Sequence, residues 1–129
     1  MIFVDANVFM YFVGADHPLR KEARDFFIRS RKRDKPLVTS AEVLQELLHH
    51  YLRRDRRPLL DAAFDLVGST VDEIWPVEEA DVELARNLSA RHRGLEARDL
   101  VHLACCIRRK PRKLMTFDRG LAAAWRSGG

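Results

Sequence analysis

The chain has 129 residues, of which 47% are hydrophobic and 33% are charged, and its formal net charge at pH 7 is +4. This size and balance predict one globular domain over residues 1–129 and exclude a disordered chain. No apolar run approaches the ~20 residues of a membrane-spanning helix, and the apolar start is too short for a secretory signal, so we expect a cytoplasmic protein with no membrane partner.

Continuous apolar runs alternate with amphipathic stretches along the chain. The first run, 1–5, predicts a buried strand, and the next amphipathic stretch predicts a helix at 18–33. Further on, the pattern predicts a strand at 36–40, helices at 41–54 and 58–68, a strand at 73–77, helices at 79–92 and 97–109, a strand at 113–117 and a helix at 119–126. This alternation predicts an α/β domain with a parallel sheet, and Pro76 favours an edge position for the third strand.

Acidic residues lie near the expected carboxyl edge of this sheet. Asp5 follows the first strand and Asp118 follows the last. Glu42 and Glu46 lie in the first turns of the helix after the second strand, and Asp99 begins the helix that leads down to the last strand. Because the carboxyl ends of parallel strands share one edge, where open α/β folds bind ligands, we expect these acids to converge.

A cluster of carboxylates has a chemical consequence. Grouped carboxylates repel one another unless protons or cations compensate, and oxygen-only ligand sets suit Mg²⁺ or Mn²⁺. Such an ion can polarise a phosphodiester and help to deprotonate an attacking water. Asn7 would orient a carboxylate or a water beside Asp5. Each acid also has a local explanation, since Asp5 and Asp118 suit helix N-caps and Asp99 suits the first turn of a helix, so it is their convergence that predicts a metal site.

Basic residues are concentrated in three runs, at 29–36, 53–58 and 108–113. The first and third runs precede strands, and the second follows a helix that starts at the carboxyl edge. All three are therefore predicted to lie at the amino edge of the sheet, opposite the acids. Cations are also expected at helix C-termini, so we interpret these runs as mostly solvated helix ends. Arg98 and Arg119, each adjacent to an acid, are better candidates for binding substrate phosphates.

Histidines and cysteines are interpreted as structural. His102 lies three residues after the third acid and is flanked by apolar residues, which favours a hydrogen-bonded core residue over an approach to the site. The His-His-Tyr segment 49–51 lies further along its helix, where dimer contact or solvation is expected. Cys105 and Cys106 are adjacent in an apolar helical pattern and predict buried core thiols rather than a disulfide or a metal pair.

Four segments together resemble the acidic motifs of PIN-domain proteins, and the closest similarity is to the VapC-type toxins of toxin–antitoxin pairs. The segments are MIFVDANVFMYF, VTSAEVLQELLHHY, ARDLVHLACCI and LMTFDRGL, which occur in the family's order over nearly the whole chain. The resemblance implies a three-layer α/β/α fold with a central parallel sheet of four to five strands. It also implies a Mg²⁺- or Mn²⁺-dependent ribonuclease, an antitoxin partner that blocks the site, and a homodimer.

The resemblance also assigns residues. The family's metal-binding and catalytic acids match Asp5, Glu46, Asp99 and Asp118, and its supporting polar residues match Asn7 and Ser40. Two alternatives stay open. Glu42 and Glu46 are four residues apart on one helix face, so both could reach the site. Glu96, three residues before Asp99, is the alternative to that acid.

Two other functions compete with a ribonuclease. One is a phosphatase or phospho-acceptor domain with Asp5 as nucleophile, although DAN lacks the second Asp that haloacid-dehalogenase-type phosphatases carry two residues later. The other is a PIN-like binding module without activity, whose acids bind a basic partner. No glycine-rich dinucleotide or P-loop motif is present, which argues against a nucleotide-binding site of either type.

Overall fold

The computed structural model describes residues 1–129 and has a four-stranded parallel sheet with helices on both faces. The strands are β1 (Ile2–Val4), β2 (Leu37–Ser40), β3 (Glu73–Trp75) and β4 (Lys113–Met115). The helices are α1 (Ala6–Val13), α2 (Pro18–Lys32), α3 (Ala41–Arg53), α4 (Arg57–Thr70), α5 (Glu79–Leu88), α6 (Ala97–Arg109) and α7 (Arg119–Arg126). This three-layer α/β/α architecture, with four strands, confirms the predicted fold class.

The sheet order is β3-β2-β1-β4, and all neighbours are parallel. The chain therefore adds β2 and β3 on one side of β1 and then crosses to place β4 on the other side. This reversal creates a topological switch point beside β1, and open α/β sheets bind ligands in the crevice at the carboxyl ends of the strands there. The predicted edge position of the third strand is confirmed, because β3 stands at one end of this order; it ends at Trp75, directly before Pro76.

The pattern predicts every strand and every helix except α1. The segment ANVFMYFV has no polar face, so it looks like a continuation of the first apolar run rather than an amphipathic helix. In the structure α1 packs against α2, α3 and α4, and Val8 and Phe9 are completely buried. A short helix surrounded by other helices does not need the polar face by which a surface helix is recognised.

Two apolar clusters stabilise the layers. The larger joins β1 and β2 to α1–α4 and includes both Cys105 and Cys106, while the smaller joins α5, α6 and α7. Both thiols are free and buried, as predicted, and burial raises the pKa of Cys105 to about 12, so that thiol stays neutral and unreactive. Tyr51 is only 4% exposed and belongs to the larger cluster, so its interpretation as a solvated or dimer-contact residue is wrong.

A buried ion cluster fastens α6 to the start of α5. Asp81 is completely buried and accepts hydrogen bonds from Arg108 and Arg109 at 2.8 Å each. Burial raises the pKa of Asp81, but hydrogen bonds from the guanidinium groups and the Glu78 amide outweigh it and hold that pKa well below its usual range. The interpretation of the run 108–113 as mostly solvated is therefore wrong for Arg109, whose side chain is 15% exposed, whereas Arg108 is exposed and paired. No helix is long and apolar enough to span a bilayer.

Candidate metal centre

Asp5 lies at the switch point and uses both carboxylate oxygens. It caps α1 by accepting a hydrogen bond from the Ala6 amide at 2.7 Å, and its second oxygen accepts one from the Thr116 hydroxyl, also at 2.7 Å. Asp5 is 3% exposed. Burial raises the pKa of this carboxyl; the positive field of His102 opposes the rise and the carboxylate of Glu46 adds to it. The side chain therefore caps α1, and its ionised form is disfavoured unless a positive charge lies nearby.

Thr116 is the central hydrogen-bonding residue of the site, and the sequence interpretation does not include it. Its one hydroxyl proton goes to Asp5, so its oxygen accepts from the Asn7 amide at 3.2 Å and from the Asp118 backbone at 3.0 Å. The Asn7 carbonyl accepts in turn from the Phe117 amide at 3.1 Å. These bonds lock the turn after β1 to the loop after β4. Asn7 thus orients Asp5 through Thr116 rather than by direct contact.

Asp99 and Asp118 face the same crevice as Asp5. Asp118 caps α7 by accepting from the Leu121 amide at 3.0 Å, and Asp99 lies in the first turn of α6. Burial, followed by the negative charges of Asp118 and Asp5, raises the pKa of Asp99 to about 6. Burial alone raises the pKa of a carboxyl, and the neighbouring negative charges raise it further against the opposing effect of His102. The structure therefore brings together three acids that are distant in sequence.

Glu46 joins this group through His102. The His102 Nε2 lies 3.0 Å from a Glu46 oxygen and 3.4 Å from an Asp5 oxygen. His102 is completely buried, as predicted, but the expectation that it does not approach the site is wrong. Burial lowers the pKa of His102, yet the hydrogen bond to Glu46 and the charge of Asp5 outweigh burial and raise it. Because both neighbours of Nε2 are acceptors, we assign a proton to that nitrogen.

The helix that carries Glu46 is positioned by Ser40. This side chain is completely buried and caps α3 by accepting from the Val43 amide at 3.3 Å. Glu42, on the same helix, is partly buried, and its pKa is raised mainly by burial, although it forms no hydrogen bond with the other acids. Glu46 is the member of this pair that contacts the cluster directly.

The two predicted phosphate-binding arginines differ in their surroundings. Arg98 bonds Glu96 at 2.9 Å and lies 3.8 Å from Glu46, so it already neutralises acids at the rim. The Glu96 side chain is 67% exposed and turned to this arginine, whereas Asp99 is partly buried and lies in the electrostatic field of the other acids. Arg119, the first residue of α7, is exposed and forms no ion pair.

The donor set fits a hard divalent cation. Ligand atoms of Asp5, Glu46 and His102 lie within 4.8 Å of one another. Asp99 and Asp118 fall outside this group, and Asp99 interacts electrostatically with Asp5, Glu46 and Asp118. Oxygen donors from carboxylates suit Mg²⁺ or Mn²⁺, and the one nitrogen is already hydrogen-bonded to Glu46. The raised pKa values of Asp5 and Asp99 indicate negative charge that a bound cation would compensate.

Replacing Thr116 with valine should weaken Mn²⁺ binding about tenfold, because loss of a group that orients a ligand costs 10–100-fold in affinity. Valine keeps the shape but removes the hydroxyl that donates to Asp5 and accepts from Asn7. Calorimetric titration with Mn²⁺ measures the change. Thr116→Ser restores the hydroxyl and should bind as the wild type does; equal affinities for the valine and serine variants would contradict an orienting role.

Comparisons with known proteins agree with this architecture. Residues 2–125 match the PIN domain family. The chain is 58% identical to Ribonuclease VapC23 of Mycobacterium tuberculosis over 127 residues, which is 98% of this chain and all of that protein. It is 43% identical to Ribonuclease VapC13 of the same organism, with 93% of this chain and 92% of the relative covered.

Solved structures show the same fold. The crystal structure of Mycobacterium tuberculosis VapC20, a Sarcin-Ricin loop cleaving toxin, superposes with a TM-score of 0.78 at 24% identity over 96% of this chain and 95% of that one. The VapBC2 structure from Rickettsia felis, bound to a DNA fragment from their promoter, gives a TM-score of 0.70 at 15% identity and covers 92% and 88%. At these identities the likeness establishes the fold alone.

Proposed function

Because this chain belongs to the PIN-domain family and is a VapC-type toxin ribonuclease, we propose that its activity depends on a divalent cation held by four carboxylates. The proposed ligands are Asp5, Glu46, Asp99 and Asp118. One observation carries the proposal: folding brings ligand atoms of Asp5 and Glu46 within 4.8 Å of each other and places Asp99 in the electrostatic field of these acids and of Asp118. When bound, Mg²⁺ or Mn²⁺ polarises a phosphodiester and lowers the pKa of a water.

The chain's own residues would hold and shape the site. Thr116 keeps one oxygen of Asp5 in a fixed direction, and His102 does the same for Glu46. Ser40 sets the start of the helix that presents Glu46. Arg119 is unpaired and exposed beside Asp118, so it is the side chain best suited to bind a substrate phosphate. Arg98 would do so after releasing Glu96.

The phospho-acceptor alternative is weakened by the surroundings of Asp5. A nucleophilic carboxylate needs an oxygen open to the substrate, but Asp5 is 3% exposed and both of its oxygens accept hydrogen bonds. Its fixed, buried oxygens suit an orienting or metal-binding role better than nucleophilic attack.

An antitoxin partner and a homodimer also belong to this proposal, as does a cytoplasmic location where RNA is accessible. The relatives are VapC ribonucleases, and one solved neighbour is a VapBC complex. Supporting the idea of a partner, the successive turns of α3 expose Leu48 and Leu52, which are 42% and 56% exposed, and the adjoining helix α4 exposes Phe64. Apolar side chains grouped on a surface are typical of protein contacts.

The test of this function is cleavage of structured RNA by the purified protein. We expect cleavage with Mg²⁺ or Mn²⁺, products that carry a 5′-phosphate, and complete loss of cleavage in EDTA that returns when the cation is restored. Cleavage that continues in EDTA would contradict the metal-dependent mechanism. A phosphoryl group trapped on Asp5 would instead establish the phospho-acceptor alternative, and an absence of cleavage under all conditions would favour a binding module.

A further inference from the structure

A cavity of about 520 Å³ lies at the amino edge of the sheet, away from the carboxylates. It is lined by the end of α2, the loop before β2, the start of β1 and the whole length of β4, and we call it the amino-edge cavity. Its rim is fixed by backbone hydrogen bonds, from Arg112 to Met1 at 2.9 Å and from Lys35 to Ser30 at 3.0 Å. The cavity is therefore formed by ordered backbone.

Positive charge dominates the lining of the amino-edge cavity. It contains the cations Arg29, Arg33, Lys35, Arg112 and Lys113 and a single acid, Asp34. None of the five cations forms an ion pair in the structure. The charged side chains are thus free to bind an external anion.

Helix-end electrostatics explain only part of this concentration. Arg29 and Arg33 lie at the C-terminal end of α2, where a cation is favoured by the helix dipole. Arg112 and Lys113 belong to a different segment, which follows α6 by several residues and begins β4. Folding brings the basic runs 29–36 and 108–113, remote in sequence, around one cavity. The interpretation of both runs as mostly solvated helix ends does not explain why they line the same cavity.

The distribution of charge explains why an RNA strand suits this cavity. RNA is a polyanion, yet the candidate metal centre is lined by acids, and Arg98 beside it is already paired with Glu96. Phosphates outside the cleaved segment therefore need cations elsewhere on the surface. The edge strand β4 connects the two places, because Lys113 and Met115 line the cavity and Thr116 directly follows. At about 3.3 Å per residue, the separation along this strand is on the order of 10 Å, which is only a few nucleotides.

We propose that the amino-edge cavity binds backbone phosphates of the RNA strand flanking the cleaved segment, through Arg29, Arg33, Lys35, Arg112 and Lys113. This inference rests on the ribonuclease function proposed above. The partly apolar floor, which includes Phe26 and Ile2, leaves room for a sugar or base beside the phosphates. Such contacts are independent of base sequence, so the cavity would add affinity without selecting the cleavage site.

The test compares two double variants that remove the same charge. Arg33→Gln with Arg112→Gln removes two positive charges from the cavity. Arg53→Gln with Arg56→Gln removes two from exposed arginines at the end of α3 and just before α4. Binding of a labelled single-stranded RNA is measured by fluorescence anisotropy in EDTA, over a range of salt concentrations, after circular dichroism has confirmed folding. We expect the cavity variant to bind at least severalfold more weakly, with the slope of log K against log salt reduced by about 1.4, since each single-strand phosphate contact contributes about 0.7.

The outcomes separate this inference from the catalytic one. A loss of binding confined to the cavity variant supports the inference, whereas equal losses in both variants, or none, overturn it. A cavity that binds ATP in a competition assay while RNA binding is unchanged would also overturn it. Because EDTA prevents metal-dependent cleavage, RNA binding is measured separately from activity. If the wild type cleaves RNA but the cavity variant binds it normally, only the inference about the cavity is contradicted. If the cavity variant binds RNA more weakly but the wild type does not cleave it, only the proposed activity is contradicted.

Discussion

Asp99→Asn should reduce RNA cleavage by about a hundredfold or more, because it removes a ligand charge from the centre on which the proposed chemistry depends. Asparagine has nearly the same shape as aspartate, and Asp99 accepts no hydrogen bond that the fold requires, so the loss would report charge rather than misfolding. Initial cleavage rates at saturating Mg²⁺ measure the effect. Asp5→Asn should be equally inactive for two reasons. It also removes a ligand charge, and its new amide would face the Thr116 hydroxyl.

The contact between Asp5 and Thr116 makes Asp99 the better position for testing the effect of charge alone. The Thr116 oxygen already accepts from Asn7 and from the Asp118 backbone, so an additional donor at Asp5 has no free acceptor there. A suitable control is Asp61→Asn, which removes the same charge from an exposed pair with Arg57. We expect the control to cleave at the wild-type rate. Full activity of Asp99→Asn would exclude that acid from the site and turn attention to Glu96.

The convergence of the acids was predictable because it follows from topology. Parallel strands present their carboxyl ends at one edge, so residues such as Asp5 and Asp118 are placed by the chain direction alone. The pairing of β1 with β4 across more than a hundred residues adds the detail that sequence does not supply. Local pattern reveals which residues end strands, but the strand order decides which of those ends are neighbours.

Thr116 and His102 were harder to assign for a physical reason. A threonine at the end of a strand and a histidine on an apolar helix face both have common structural explanations, and only their partners distinguish a role in the site. The signals present were weak: Thr116 stands two residues before Asp118, and His102 lies one helical turn after Asp99. Asp81 shows the converse case, since nothing in its surface-like sequence context indicates a buried acid bound by Arg108 and Arg109.

The unusual pKa of Asp99 has a consequence for stability that does not depend on any assay of cleavage. Its value of about 6 in the folded protein lies above the ordinary value of 3.8, so between these values the folded state binds more protons than the unfolded state. The free energy of unfolding of the metal-free protein should therefore fall as the pH rises from about 4 to about 6, and stay low above that range. The full shift corresponds to about 3 kcal/mol, at about 1.4 kcal/mol per unit of pKa, and solvent screening of this partly exposed side chain should reduce the loss to about 1 kcal/mol.

The neighbouring groups change stability in the same direction. Asp5 has a raised pKa and adds to the loss as it ionises, and His102, whose pKa is also raised, contributes stability that disappears as it deprotonates at higher pH. Asp81 has the opposite sign, because its lowered pKa gives stability that is lost only as the pH falls below the ordinary range of a carboxyl. Above about pH 4, the acids and histidine of the site should therefore determine the trend.

Urea unfolding in EDTA, repeated across this pH range, should show wild-type protein losing stability toward neutral pH and Asp99→Asn losing less. At neutral pH in EDTA the inactive variant should be the more stable protein, by about 1 kcal/mol after solvent screening, and the two should converge near pH 4. Saturating Mg²⁺ should reverse the order, because a cation that binds only the folded wild-type site adds stability by mass action. Asp61→Asn should follow the wild type throughout. If Asp99→Asn were less stable than the wild type in EDTA at neutral pH, neither burial nor the neighbouring acids would be opposing the charge on Asp99, and the physical reason for a cation at this edge of the sheet would be lost.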